Sequence, residues 1–177
     1  QRNIDAWEAL LKQPTQGNIQ ATLNRVNQFF NSRIRFVDDI TVWGQEDYWA
    51  TPVEALRKGA GDCEDYALAK YFTLLELSVP ASQLRITYVK ALQLNQAHMV
   101  VTWYSTPDAI PLVLDNLKPA ILPATARSDL LPVYSFNGEG LWIPQASGSK
   151  RVGDSKRLSR WQDLLTRMRA EGFVINE

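Results

Sequence analysis

The sequence predicts an α+β fold. Two observations carry that expectation: residues up to Leu77 read mainly as helices, and most of the remainder reads as short strands joined by turn signals. Helices first and mostly antiparallel strands afterwards is the order of a segregated α+β domain. The 177 residues are enough to bury a sizeable core, and a single domain over 1–177 is expected.

The elements follow in order. Residues 4 to 12 predict a short helix. Residues 17 to 31 predict a second, with Ile19, Leu23, Val26, Phe29 and Phe30 on one face. Residues 34 to 37 suit a brief strand, followed by an irregular aromatic stretch through Trp43, Tyr48 and Trp49. Thr51-Pro52-Val53-Glu54 is a helix start, with Thr51 as cap, Pro52 in the first turn and Glu54 where a capping box needs it. Gly59-Ala60-Gly61 stops that helix, and a longer one begins near Asp62 or Cys63 and runs to about Leu77, before Pro80. Arg85–Leu92 and Ala97–Tyr104 predict two strands around the turn Gln93-Leu94-Asn95-Gln96, and Ile110–Leu114 predicts a third that ends at Asp115-Asn116. Pro119 to Pro132 reads as a loop. Val133–Phe136 and Leu141–Ile143 read as a hairpin, and the polar run Ser147–Ser155 as a mobile loop. Ser159 opens a last helix that Gly172 closes.

Composition bounds the function classes. Formal net charge is zero, from 19 basic and 19 acidic residues, and no basic stripe is interleaved with aromatics. Nothing in this balance calls for a polyanionic partner. One cysteine excludes an internal disulfide and a multi-cysteine zinc site. No apolar run approaches the length of a membrane span. Composition alone leaves the compartment open.

The chemistry concentrates in Gly61-Asp62-Cys63-Glu64-Asp65-Tyr66-Ala67, which holds the only cysteine. The only histidine, His98, falls on the second strand, and Asp115 at the end of the third. A thiol, an imidazole and a carboxylate in this order suit a nucleophilic triad. At a helix start Cys63 would see the positive end of the dipole, which favours thiolate, and a first-turn N–H would face an oxyanion. His98 would take and return a proton, and Asp115 would fix its tautomer. Each residue also has a plainer role: a small buried hydrophobe for Cys63, a hydrogen-bonded core side chain for His98, a turn cap for Asp115.

Asp62, Glu64 and Asp65 likewise have two readings. Acids in a first helical turn suit the dipole and the free N–H groups. Three in four positions is more than a cap needs, and their charge opposes thiolate formation. A hard cation such as calcium would offset that charge and fix the loop. On a helix Asp62 and Asp65 share a face turned largely away from Cys63. The run does not match an EF-hand loop.

The stretch Trp49-x-Thr51-Pro52-x-Glu54-x-Leu56-x-x-Gly59-x-Gly61-Asp62-Cys63-Glu64-Asp65-Tyr66-Ala67, with Ala97-His98-Met99-Val100 and Leu114-Asp115-Asn116, resembles the bacterial transglutaminase-like cysteine proteinases. The likeness runs from about Trp7 to the last helix, without departure at the motif positions. It implies a papain-like, transglutaminase-type core, with the nucleophile helix packed on an antiparallel sheet. It implies Cys63 as nucleophile, His98 as base and acid, Asp115 as orienting carboxylate, and a calcium site at Asp62, Glu64 and Asp65. It further implies a periplasmic endopeptidase that cuts the N-terminal region of a large surface adhesin and so promotes biofilm dispersal. The implied regulator is a LapD-type inner-membrane cyclic di-GMP receptor that sequesters the protease on its periplasmic domain. Two other readings fit the same residues: another thioester-forming enzyme, such as a transglutaminase or amidase, and a non-catalytic calcium-dependent binding module.

Overall fold

The structure, a computed structural model, describes residues 2–13, 18–37, 49–145, 148–155 and 158–173. Trp43 and Tyr48 of the aromatic stretch lie outside the described residues. Helix α1 (Arg2–Leu11) buries Ile4, Trp7 and Leu10. Helix α2 (Ile19–Arg33) starts one residue after Asn18, whose side chain accepts the Ala21 N–H. It buries Leu23, Val26 and Phe30, while Ile19 and Phe29 are half-buried at the margin of the core. The expected strand at 34–37 is β1 (Arg35–Phe36), which pairs in parallel with β2 (Ala60–Gly61).

Helix α3 (Pro52–Lys58) has both halves of the capping box between Thr51 and Glu54, and ends at Gly59 with φ of 65°. That left-handed conformation is why glycine stands there. Helix α4 (Cys63–Glu76) is buried at every residue from Glu64 to Leu74. A helix covered on all sides belongs to the centre of a domain.

Seven antiparallel strands form one sheet: β3 (Leu84–Ala91), β4 (Gln96–Trp103), β5 (Leu112–Leu114), β6 (Leu122–Pro123), β7 (Leu130–Phe136), β8 (Leu141–Gln145) and β9 (Gly148–Gly153), in the spatial order β6-β5-β4-β3-β7-β8-β9. Two expectations are corrected here. The 119–132 stretch is not all loop, because it contains β6, a 3₁₀ turn at Ala124–Ala126 and the start of β7. The polar run after Ser147 is largely a strand, β9, paired with β8. Five of its six residues are exposed, so no buried face imposes the apolar alternation that reveals a strand.

Helix α5 (Ser159–Ala170) closes the helical layer. Its Trp161 is stacked on Phe72 of α4, with centroids 5.4 Å apart, and meets Phe136 of β7 edge-on at 5.2 Å. Trp49 stacks on the same Phe136 at 5.9 Å and is buried, so it serves the core. Ile86, Met99, Val101, Leu114 and Phe136 face this helical layer. Val89, Val100 and Val113 form a smaller cluster of their own, which places them on the opposite sheet face by the period of two. The result is the α+β, transglutaminase-like arrangement expected: the helix that begins at Cys63 lies against an antiparallel sheet.

Candidate active site

Cys63 is the first residue of α4, and the turn before it is fixed by a reciprocal cap. Asp62 Oδ1 accepts the N–H groups of Glu64 at 3.1 Å and Asp65 at 3.4 Å, and Asp65 Oδ2 accepts the Asp62 N–H at 3.0 Å. The second Asp65 oxygen accepts the Ala50 N–H at 3.1 Å, which joins the segment before α3 to the same turn. Neither cap takes up the Cys63 N–H. Gly61 makes the approach possible, because a Cβ there would lie 2.7 Å from both Cβ and Oδ2 of Asp65.

The thiol is half-buried at the start of α4, and the backbone of Met99 on β4 is close enough to favour its thiolate. His98 is the neighbouring residue on that strand. Burial, followed by the charges of Asp62 and Glu64, pushes the thiol well above its ordinary range; the Met99 backbone opposes this and Asp65 adds to it. Desolvation and the three carboxylates thus oppose the thiolate that a helix start favours, as the acids beside Cys63 lead one to expect.

His98 and Asp115 come together as the strand order predicts. The pair Val101–Leu114 sets the β4–β5 register, so Asp115 continues opposite Val100, and His98 is its diagonal neighbour on the same face. Nε2 of His98 lies 2.5 Å from Asp115 Oδ1. With Asp115 ionised, Nε2 is the donor and Nδ1 is left to accept a proton. Burial pushes the Asp115 carboxyl up, but His98, Arg127 and the Leu117 N–H together bring it down to about 2.

Arg127 is the partner of Asp115 that the sequence did not disclose. It is 2% exposed, and its Nη2 donates to Asp115 Oδ2 at 2.7 Å. Its Nε and Nη2 both donate to Asp129 at 3.0 Å. The one available signal was indirect: a buried carboxylate requires a counter-charge, and Arg127 stands in the stretch read as loop.

The three acids expected to hold a cation act here as structure. Asp62 and Asp65 cap α4, and Glu64 is buried. Among the described residues no group of three or more His, Cys, Asp or Glu side chains is gathered to hold a metal ion. A cavity of about 550 Å³ is lined by Val89, Val100, Val113, Leu130 and Arg127, on the sheet face away from the helices. Cys63 and His98 do not line it, so it is not the space in which a bond at the sulfur would be made.

The sequence profile of the bacterial transglutaminase-like cysteine proteinases (BTLCP) matches residues 6–136. Among solved structures, Legionella pneumophila LapG treated with EGTA is 47% identical with a TM-score of 0.85, over 94% of this chain and 88% of that one. Calcium-bound L. pneumophila LapG is 46% identical with a TM-score of 0.83, over 94% of this chain and 90% of that one. No curated protein sequence matches. A family profile covering most of the chain and close likeness to LapG along nearly all of it converge on one conclusion: the chain belongs to the bacterial transglutaminase-like cysteine proteinases.

Proposed function

We propose that this cysteine proteinase is a calcium-dependent endopeptidase that uses Cys63, His98 and Asp115 as its triad. The observation that carries the reading is the buried His98–Asp115 pair at 2.5 Å, with His98 next in sequence to Met99, whose backbone favours the Cys63 thiolate. In this reading His98 Nδ1 takes the thiol proton and the sulfur attacks the scissile carbonyl, forming the C–S bond. The Cys63 N–H faces the oxyanion. The imidazolium then protonates the leaving amine as the C–N bond breaks. Water, giving a proton to His98, resolves the thioester to a carboxylic acid and returns the thiol. Asp115 holds the ring in the productive tautomer throughout.

Calcium comes to this chain through its likeness to calcium-bound LapG. The donor chemistry fits: three carboxylates fall within one turn, and an oxygen that accepts one N–H keeps a second lone pair. Asp62, Glu64 and Asp65 would hold the ion, and its charge would offset the carboxylates that now disfavour thiolate. The wider reading is of one domain over 1–177 that acts in the periplasm, cuts the N-terminal region of a large surface adhesin, and is sequestered by a LapD-type cyclic di-GMP receptor. What supports it is the likeness to LapG.

The test is incubation of an adhesin N-terminal fragment with the wild type and with Cys63→Ala, each with and without EGTA and with an added primary amine. Cleavage by the calcium-loaded wild type alone is expected, with a free carboxylate at the new terminus. Cleavage by Cys63→Ala would end the catalytic reading. A product carrying the amine would mark a transglutaminase, and EGTA-insensitive cleavage would remove calcium from the account.

A further inference from the structure

Lys70 has no part in the chemistry described so far. It follows Cys63 by two helical turns and so shares its face of α4. It is 0% exposed, and its Nζ has no hydrogen-bond partner. The nearest aromatic contact is the Tyr66 ring, with its centroid 5.7 Å away, and the Tyr66 hydroxyl donates to the Ile34 carbonyl at the end of α2. Lys70 therefore stands where α4 meets α2. The ionised group that acts on it is Asp115: burial lowers the ammonium to about 7, and Asp115 opposes that fall.

The turn after β5 is tied to the same place. Asn31 Nδ2 donates to the Asp115 carbonyl at 2.9 Å, and Asn27 Nδ2 to the Pro119 carbonyl at 3.1 Å, both from α2. The side-chain oxygens of Asn27, Asn31 and Asn116 are buried and accept no hydrogen bond. Three acceptors without donors thus lie on α2 and on the turn that carries Asp115, and one ammonium without acceptors lies on α4, which packs against α2. Stability alone does not account for the lysine, since an apolar side chain of similar volume in such a place is commonly neutral or stabilising.

We propose that Lys70 is a positioning residue of the triad: its buried ammonium, through the amide side chains around the 115–119 turn, holds Asp115 in line with His98 from the helix side, as Arg127 holds it from the sheet side. This rests on the triad reading. The ionisable groups around it are Asp115, then His98 and Arg127 through Asp115; Tyr66 presents its ring.

The experiment compares wild type, Lys70→Met, Lys70→Arg and Asp115→Asn in the calcium-loaded protein. With the adhesin N-terminal fragment as substrate, Lys70→Met is expected to lower kcat by about tenfold to a hundredfold with KM unchanged, the range for remote misplacement of a reacting group. Its melting temperature is expected to be equal or higher, and Lys70→Arg should recover most of the loss. With ¹³C-labelled lysine, one side-chain signal should titrate near pH 7, vanish in Lys70→Met, and move to lower pH in Asp115→Asn. Wild-type kcat in Lys70→Met, or a lysine midpoint unmoved by Asp115→Asn, would overturn the proposal. If Lys70→Met does not fold, the Lys70→Arg and Asp115→Asn arms decide. If the wild type cleaves nothing, the triad reading fails while the lysine titration still reports on the coupling.

Discussion

At the residue scale the site depends on how one buried carboxylate is kept ionised. Asp115 is 1% exposed, and Arg127 and His98 take one oxygen each. Removing one partner of a buried pair costs about 3–5 kcal/mol, because the remaining charge stays buried. Arg127→Met is therefore expected to lose stability of that order. The sign with pH follows from the depressed value of Asp115, about 2 in the fold against roughly 3.9 unfolded. Its stabilisation is complete above the unfolded value and is lost as pH falls through the folded one. Without Arg127 the folded value climbs, so acid unfolding followed by circular dichroism should begin at higher pH in Arg127→Met; an unchanged acid midpoint would contradict this. The His98–Asp115 pairing was legible because His98 is the only histidine and Asp115 ends the strand beside it. Arg127 and Lys70 were not, because their roles depend on long-range packing that no local pattern records.

At the element scale the start of α4 decides whether the thiol is presented at all. Gly59 and Gly61 both precede it but do different things. Gly59 supplies a left-handed turn with φ of 65°, whereas Gly61 leaves room for the Asp65 carboxylate. Gly59→Ala should cost about 1 kcal/mol through backbone strain and keep the cleavage activity. Gly61→Ala should cost about 1–3 kcal/mol through overpacking and lose activity as well, because the Asp62–Asp65 cap is displaced. Thermal melts with cleavage assays on the pair check this; equal activity in both would show that the cap does not govern Cys63. The capping boxes at Thr51 and Asp62 were readable because a cap is a local device. The strands β6 and β9 were not: one is two residues long and proline-bearing, the other almost wholly exposed, so neither imposes an apolar period.

At the scale of the whole molecule the helical layer holds Cys63 and Lys70, the sheet holds His98 and Asp115, and the proposed site depends on their docking. The order of helices and strands was enough to predict this division, because each long element carries its own period; how the layers meet depends on side chains such as Trp161 and Phe136 that touch across them. Burial of Lys70 adds a global pH dependence. Its value falls from 10.5 to about 7 on folding, so in that window the unfolded chain binds the proton and the folded chain does not. Stability through this group is lowest below pH 7 and rises towards pH 10.5. Urea unfolding at pH 7 and pH 9 should show this rise in the wild type and its absence in Lys70→Met; identical slopes would mean the amine is not desolvated. Attack of the Cys63 sulfur on the substrate carbonyl, with help from His98 and Asp115, is open to acid-quenched intact-mass measurement during turnover of the adhesin fragment. An acyl adduct on Cys63 is expected, equal in mass to the N-terminal product less water, abolished in Cys63→Ala and depleted in Asp115→Asn. Turnover by Cys63→Ala, or an adduct on any other residue of a protein that still cleaves, would contradict it.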